Sequence, residues 1–139
     1  MIKGKLKNLE IGIGKNQDTL ENLVKSKNVI LSFGSNLNSK YGNRIRNIEM
    51  AQILLLSHDI KIIKRSRYFE SISYPDKNDP KFINCIIKIS TKLKPTKLLD
   101  LIFKIEQFLG RERSKKNEPR VCDIDIIDYN GELIKKKYK

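Results

Sequence analysis

The sequence contains no tryptophan, one histidine, two cysteines, four prolines and seven glycines in 139 residues. So little proline and glycine excludes collagen-like repeats and low-complexity architecture, and the 39% hydrophobic content is that of a chain that folds. The length suits one compact domain and is too short for two that each bury a proper core. Cys85 and Cys122 are too few and too far apart for a disulfide framework or a CxxC metal site, and are expected as reduced, buried thiols. The single histidine, His58, has no catalytic partner in the sequence and is expected at the surface near a helix end. Long apolar runs are also missing: no stretch of about 18 apolar residues exists, and Met1-Ile2-Lys3-Gly4-Lys5 does not open a signal peptide. A cytoplasmic protein without membrane association is expected.

Acidic residues are scarce relative to basic ones, 16 against 29, which gives a formal net charge of +13. That balance is compatible with nucleic acid, an anionic membrane surface or a small polyphosphate ligand, and by itself selects none of them. The lysines are scattered among isoleucine and asparagine rather than gathered in a stripe.

Residues 1–28 are polar and basic, with a short helix predicted from Asp18 and Glu21, which have the spacing of a capping box. Within them, Ile11-Gly12-Ile13-Gly14-Lys15-Asn16 lacks the glycine spacing and the Ser or Thr of a phosphate loop. Asn28 to Phe33 is an apolar, partly β-branched run that Gly34-Ser35-Asn36 stops, a buried strand entering a turn. Tyr41, Ile45, Ile48, Gln52 and Leu55, widened by Ala51 and Leu54, follow a helical period and predict a helix over 41–57. Residues 60–71 predict a strand with one solvated face, and Ser73 to Lys81 a loop. From Phe82 to Leu93 the pattern alternates: Ile83, Cys85, Ile87 and Ile89 share one face, Phe82, Asn84, Ile86 and Lys88 the other. Pro95 opens a second helix carrying Leu98, Ile102, Ile105 and Leu109, which Gly110 ends. After a charged loop at 111–119, Val121 to Ile127 predicts a last strand, with a turn at Asn130-Gly131 leading towards Glu132-Leu133-Ile134. Strand, helix, strand, strand, helix, strand is the split β-α-β order of an α+β, ferredoxin-like sandwich: an antiparallel sheet with two helices on one face.

The sharpest chemical feature is Asp123-Ile124-Asp125 in an otherwise apolar strand. Alternation puts both carboxylates on one face, and ionised groups there require partners or a cation. Mg2+ suits such a pair, since it takes a few protein oxygens and completes its shell with water and substrate phosphate. A solvated strand with two aspartates, paired with lysines, is the plainer alternative. Gly110-Arg111-Glu112-Arg113 and Pro119-Arg120 lead directly into the pair. Arginines flanking a metal-type carboxylate pair suit phosphoryl or diphosphoryl transfer, where catalysis is largely positioning and charge neutralisation.

The chain resembles the 6-hydroxymethyl-7,8-dihydropterin pyrophosphokinase family at several separate points. These are Leu31-Ser32-Phe33-Gly34-Ser35-Asn36-Leu37, Ser66-Arg67-Tyr68-Phe69-Glu70-Ser71, Phe82-Ile83-Asn84, and Leu93-Lys94-Pro95 with Leu98-Leu99. Ile105-Glu106 with Leu109 to Arg113, and Pro119 to Ile126, complete the match over residues 29–129. The resemblance implies transfer of diphosphate from ATP to a pterin alcohol with release of AMP, in folate biosynthesis. It implies that Asp123 and Asp125 hold two Mg2+ ions, that Arg111, Arg113 and Arg120 face the triphosphate, with Arg111 and Arg120 catalytic beside the aspartates, and that Glu106 lies in the ATP site. On the pterin side it implies stacking by Phe82, reading of the ring edge by Asn84, and contacts from Ser71 and Tyr74. A monomer acting on small molecules, without specific nucleic acid, is expected.

Departures from the family pattern are Glu118 in place of a glycine, the absence of tryptophan from the catalytic loop, and the Ser73-Tyr74-Pro75 segment. Residues 1–28 are expected as an N-terminal extension, and residues 29–139 as a domain lacking the family's C-terminal proline-histidine segment and further arginine. The competing readings are an inactive or truncated pyrophosphokinase and a basic ferredoxin-like RNA-binding domain. The second lacks the Gly-and-aromatic RNA motif and leaves two aspartates on the binding face unexplained.

Overall fold

A computed structural model describes residues 26–74, 76–110 and 120–132. In chain order these form β1 (Lys27–Ser35), α1 (Arg44–Leu56), β2 (Ile60–Arg65), β3 (Phe69–Ser71), β4 (Phe82–Thr91), α2 (Pro95–Phe108) and β5 (Asp123–Tyr129). The sheet order is β2-β4-β1-β5, with β3 pairing β4 along the edge that β2 also uses. Every pairing is antiparallel. With two helices against one face, this is the α+β, ferredoxin-like-type arrangement that the element order predicts. No helix among the described residues is long and apolar enough to cross a membrane.

Alternation divides the sheet. Val29, Leu31 and Phe33 of β1, Cys85, Ile87 and Ile89 of β4 and Ile124 of β5 are at most 1% exposed and meet Ile48, Ala51 and Leu55 of α1 and Leu98, Ile102 and Ile105 of α2. Each of the Val, Leu, Ile and Phe side chains among them is worth about 1.5–3 kcal/mol of burial. Both cysteines are buried and reduced, as expected. His58 is exposed beyond the end of α1, its Nδ1 3.2 Å from the Leu54 carbonyl oxygen.

Several boundaries differ from the sequence expectation for local reasons. β1 does not stop at Phe33: Gly34 and Ser35 stay in register with Asn84 and Ile83 of β4. The single strand expected over 60–71 is interrupted at 66–68. There Ser66 keeps β4 engaged by other means, its N–H donating to the Ile86 carbonyl and its hydroxyl accepting from the Ile86 N–H (2.8 and 2.9 Å). Burial raises the pKa of the Tyr68 phenol at this break, and Glu49 adds to the rise. In β5 the register slips opposite Ile30 and Leu31, so that Ile127 bulges out and Tyr129 returns to the core side, where its hydroxyl donates to the Leu93 carbonyl. Asn130 and Gly131 both have positive φ (52° and 81°), as the predicted tight turn requires, and Tyr129 bridges to Glu132. The expected helix near Asp18 and Glu21, the charged loop at 111–119, and Leu133-Ile134 lie outside the described residues.

The buried side of α1 also differs in one position from its expected stripe. Ile45 is 38% exposed, whereas Asn47 is fully buried. Asn47 earns that place by hydrogen bonding: its amide donates to the Leu37 carbonyl (2.8 Å) and Ser35 hydroxyl (3.3 Å), and its Oδ1 accepts from Ser39 (2.6 Å). These bonds fasten the connection between β1 and α1. Asn47→Ala should therefore cost about 1–3 kcal/mol, the penalty for orphaning buried polar groups, measured as a lower urea midpoint with an unchanged slope.

Candidate active site

The face of the sheet turned away from the helices carries the candidate site. Directly paired residues share a face, so Asp123 of β5, Gly34 of β1, Asn84 of β4 and Phe69 of β3 form one row across four strands. Asp125, Ser32 and Ile86 form the next row, and Phe82 and Ser71 flank the first. Strands are spaced about 4.8 Å apart, which separates the aspartates from Asn84 by roughly 10 Å. That span suits a flat bicyclic ring with a reacting substituent at one end.

Gly34 keeps the middle of the row low. A Cβ there would lie 3.2 Å from Asn84 Oδ1 and 3.2 Å from Phe82 Cδ1. Its role is clearance on a strand rather than the turn that its sequence context suggests. Asn84 is oriented by β3, its amide donating to the Ser71 hydroxyl (2.8 Å) and the Phe69 carbonyl (3.2 Å), which leaves Oδ1 towards Gly34. Ser71, Phe82 and Asn84 are thus brought together. Tyr74 is not brought into this row; at 84% exposure it stands in solvent.

At the other end, Asp125 is exposed, and Asp123, 22% exposed, pairs with Arg120 through Nη1–Oδ1 at 3.0 Å. Among the described residues no group of three or more His, Cys, Asp and Glu side chains is gathered as a metal cage. The donor set is two carboxylates on one strand face, the hard oxygen chemistry that fits Mg2+ shared with substrate phosphate. Arg111 and Arg113 lie outside the described residues.

Glu106 lies against β5. It is 1% exposed on α2, and its Oε2 accepts from the Ile124 N–H at 2.8 Å, between the two aspartates. Among the described strands β5 is the sheet edge, where alternate N–H groups point away from β1, and Glu106 accepts from one of them. The carboxylate supports the strand that presents the aspartates.

The sequence reading placed Asn36 in a turn and a family motif and Ser73 at the start of a loop, but gave neither a role in the site. Both are buried, at 3% and 6% exposure, and they meet beneath the loop between β3 and β4. A buried asparagine after a strand leaves no periodic signal; only its partners reveal it.

Gly34→Ala tests the clearance. The new methyl must displace the Asn84 and Phe82 side chains by a few tenths of an ångström, so stability should fall by about 1 kcal/mol, the low end of overpacking costs. The Asn84 side-chain amide resonances should shift in an NMR spectrum, and unchanged resonances would contradict the packing.

Residues 30–137 match the family model described as 7,8-dihydro-6-hydroxymethylpterin-pyrophosphokinase. The chain is 37% identical over 123 residues to the folic acid synthesis protein FOL1 of Dictyostelium discoideum, covering 88% of this chain and 18% of that protein. It is 35% identical over 107 residues to the folate synthesis bifunctional protein of Arabidopsis thaliana, covering 76% and 21% of the two chains. It is 35% identical over 109 residues to the 2-amino-4-hydroxy-6-hydroxymethyldihydropteridine pyrophosphokinase of Aquifex aeolicus, covering 78% of this chain and 65% of that one. The chain thus spans about a fifth of the two eukaryotic relatives and 65% of the bacterial one. The match runs from within β1 to beyond β5 and takes in both ends of the open-face row, and on that ground the chain belongs to the 7,8-dihydro-6-hydroxymethylpterin-pyrophosphokinase family.

Proposed function

We propose that the protein transfers diphosphate from ATP to 6-hydroxymethyl-7,8-dihydropterin, releasing AMP, as a step of folate synthesis. The observation that carries this reading is the single row that runs from Asn84, flanked by Phe82, to Asp123, with Gly34 as the gap between them. Phe82 stacks on the pterin ring and Asn84 Oδ1 accepts from its amino edge. A ring seated there directs its hydroxymethyl group towards β5. Ser71 acts through Asn84 by holding its amide. Tyr74 approaches only as ligand binding draws its loop in.

Asp123 and Asp125 would hold two Mg2+ ions, which would neutralise phosphate charge and polarise the reacting oxygens. Arg120, already beside Asp123, turns its fork to phosphate oxygens as the nucleotide arrives, and Arg111 and Arg113 act on the same triphosphate. The pterin hydroxymethyl oxygen attacks the β-phosphorus in line. One O–P bond forms, the bond from the β-phosphorus to the α–β bridging oxygen breaks, AMP leaves with that electron pair, and the hydroxyl proton passes to solvent. No covalent enzyme intermediate is required. Glu106 lies at the ATP end of the site and contributes there by fixing the strand between the two aspartates.

Substitution of the aspartates tests the reading. Asp123→Asn and Asp125→Asn keep size and remove charge, so each should lower AMP formation from ATP and the pterin alcohol by roughly a hundredfold or more, in line with several kcal/mol from metal neutralisation. The urea midpoint should change little. Wild-type rates in both variants would overturn the mechanism.

A further inference from the structure

Asn36 lies one residue past β1 and is 3% exposed, yet it belongs to neither set of substrate contacts proposed above. Its amide donates to the Ser73 hydroxyl at 3.2 Å and to the Pro80 carbonyl at 3.1 Å. Its Oδ1 accepts from the Arg120 N–H at 2.6 Å, and its own N–H donates to the Arg120 carbonyl at 3.0 Å. Ser73 and Pro80 stand at opposite ends of the connection from β3 to β4, and the Ser73 hydroxyl donates to the same Pro80 carbonyl. Arg120 is the residue whose guanidinium pairs with Asp123.

One buried side chain is therefore bonded both to the loop beside Ser71 and Phe82 and to the backbone that positions Arg120. The division of labour requires an amide. A carboxylate could accept from the Arg120 N–H but could not donate to Ser73 and Pro80, and an aliphatic side chain could do neither. Because the three side-chain bonds share one rigid group, ordering of either segment holds Asn36 for the other. The cost of ordering the second segment is then reduced.

We propose, building on the function assigned above, that Asn36 is a positioning residue that couples the pterin half of the site to the phosphate half, so that each substrate tightens binding of the other. Linkage makes that effect reciprocal.

The test uses Ser73→Ala, which removes an acceptor of the Asn36 amide and touches no proposed substrate contact, with Asn36→Asp as the second variant. The first readout is hydrogen exchange of the Arg120 amide in the ligand-free protein. The second is the affinity for a non-hydrolysable ATP analogue with Mg2+, measured with and without the pterin alcohol. In Ser73→Ala the Arg120 amide should exchange several-fold faster. The factor by which the pterin alcohol tightens nucleotide binding should fall by about tenfold, within the usual range of coupling between sites, while nucleotide affinity measured alone changes little. Asn36→Asp should reduce the factor at least as much. An unchanged Arg120 exchange rate overturns the proposal, as does an unchanged coupling factor with both ligands bound. A wild-type protein that binds neither ligand overturns the functional reading and the substrate coupling with it; failure of the coupling alone is told apart because both ligands then bind, with the same factor in every variant.

Discussion

The register of β1 is the constraint on which the remaining geometry rests. This strand is hydrogen-bonded on both sides, to β4 and to β5, so its backbone fixes at once which residues of both neighbours lie level with one another. A slip of one residue would turn Leu31 and Phe33 out of the core, and burial of those side chains on the helix face forbids it. With Phe33 locked inward, Gly34 must face outward, level with Asn84 and Asp123. The hydrophobic core thereby sets the spacing of a polar site on the opposite face of the sheet.

What lies around that register is a set of buried polar groups, each with partners. Asn47 fastens the exit from β1 to α1, Asn36 joins the loop after β3 to the segment before β5, and Glu106 meets the outward amide of Ile124. Such groups are costly to bury and are tolerated only when bonded, so each fixes its segments more closely than apolar packing would. They stand where irregular chain meets the sheet, close to the residues that are to bind and react. The helix side of the sheet is held chiefly by aliphatic packing.

The sequence reading was strongest where a period repeats. The alternation of Ile83, Cys85, Ile87 and Ile89 in β4, and the spacing of Leu98, Ile102 and Ile105 in α2 with Leu109 just past its end, predict burial that the structure bears out at every one of those positions. The reading was weaker where one residue breaks the period. The bulge at Ile127 and the interruption at Ser66 to Tyr68 each insert a residue whose neighbours alone accommodate it, and Ile45 and Asn47 exchange the places that periodicity gave them because hydrogen bonds outweighed hydropathy.

The amino-acid sequence by itself determined the order of elements, the faces of β4 and β5, and the pairing of Asp123 with Asp125 on one side of a strand, because these follow from nearest-neighbour geometry along the chain. The tertiary structure decided what requires residues far apart to meet. It turned Gly34 from a turn residue into the low point of a row, directed the Glu106 carboxylate inward to Ile124, and gave Asn36 partners at positions 73, 80 and 120. The physical reason is that a hydrogen bond depends on distance and direction between two particular atoms. No local pattern encodes a partner that lies 84 residues away.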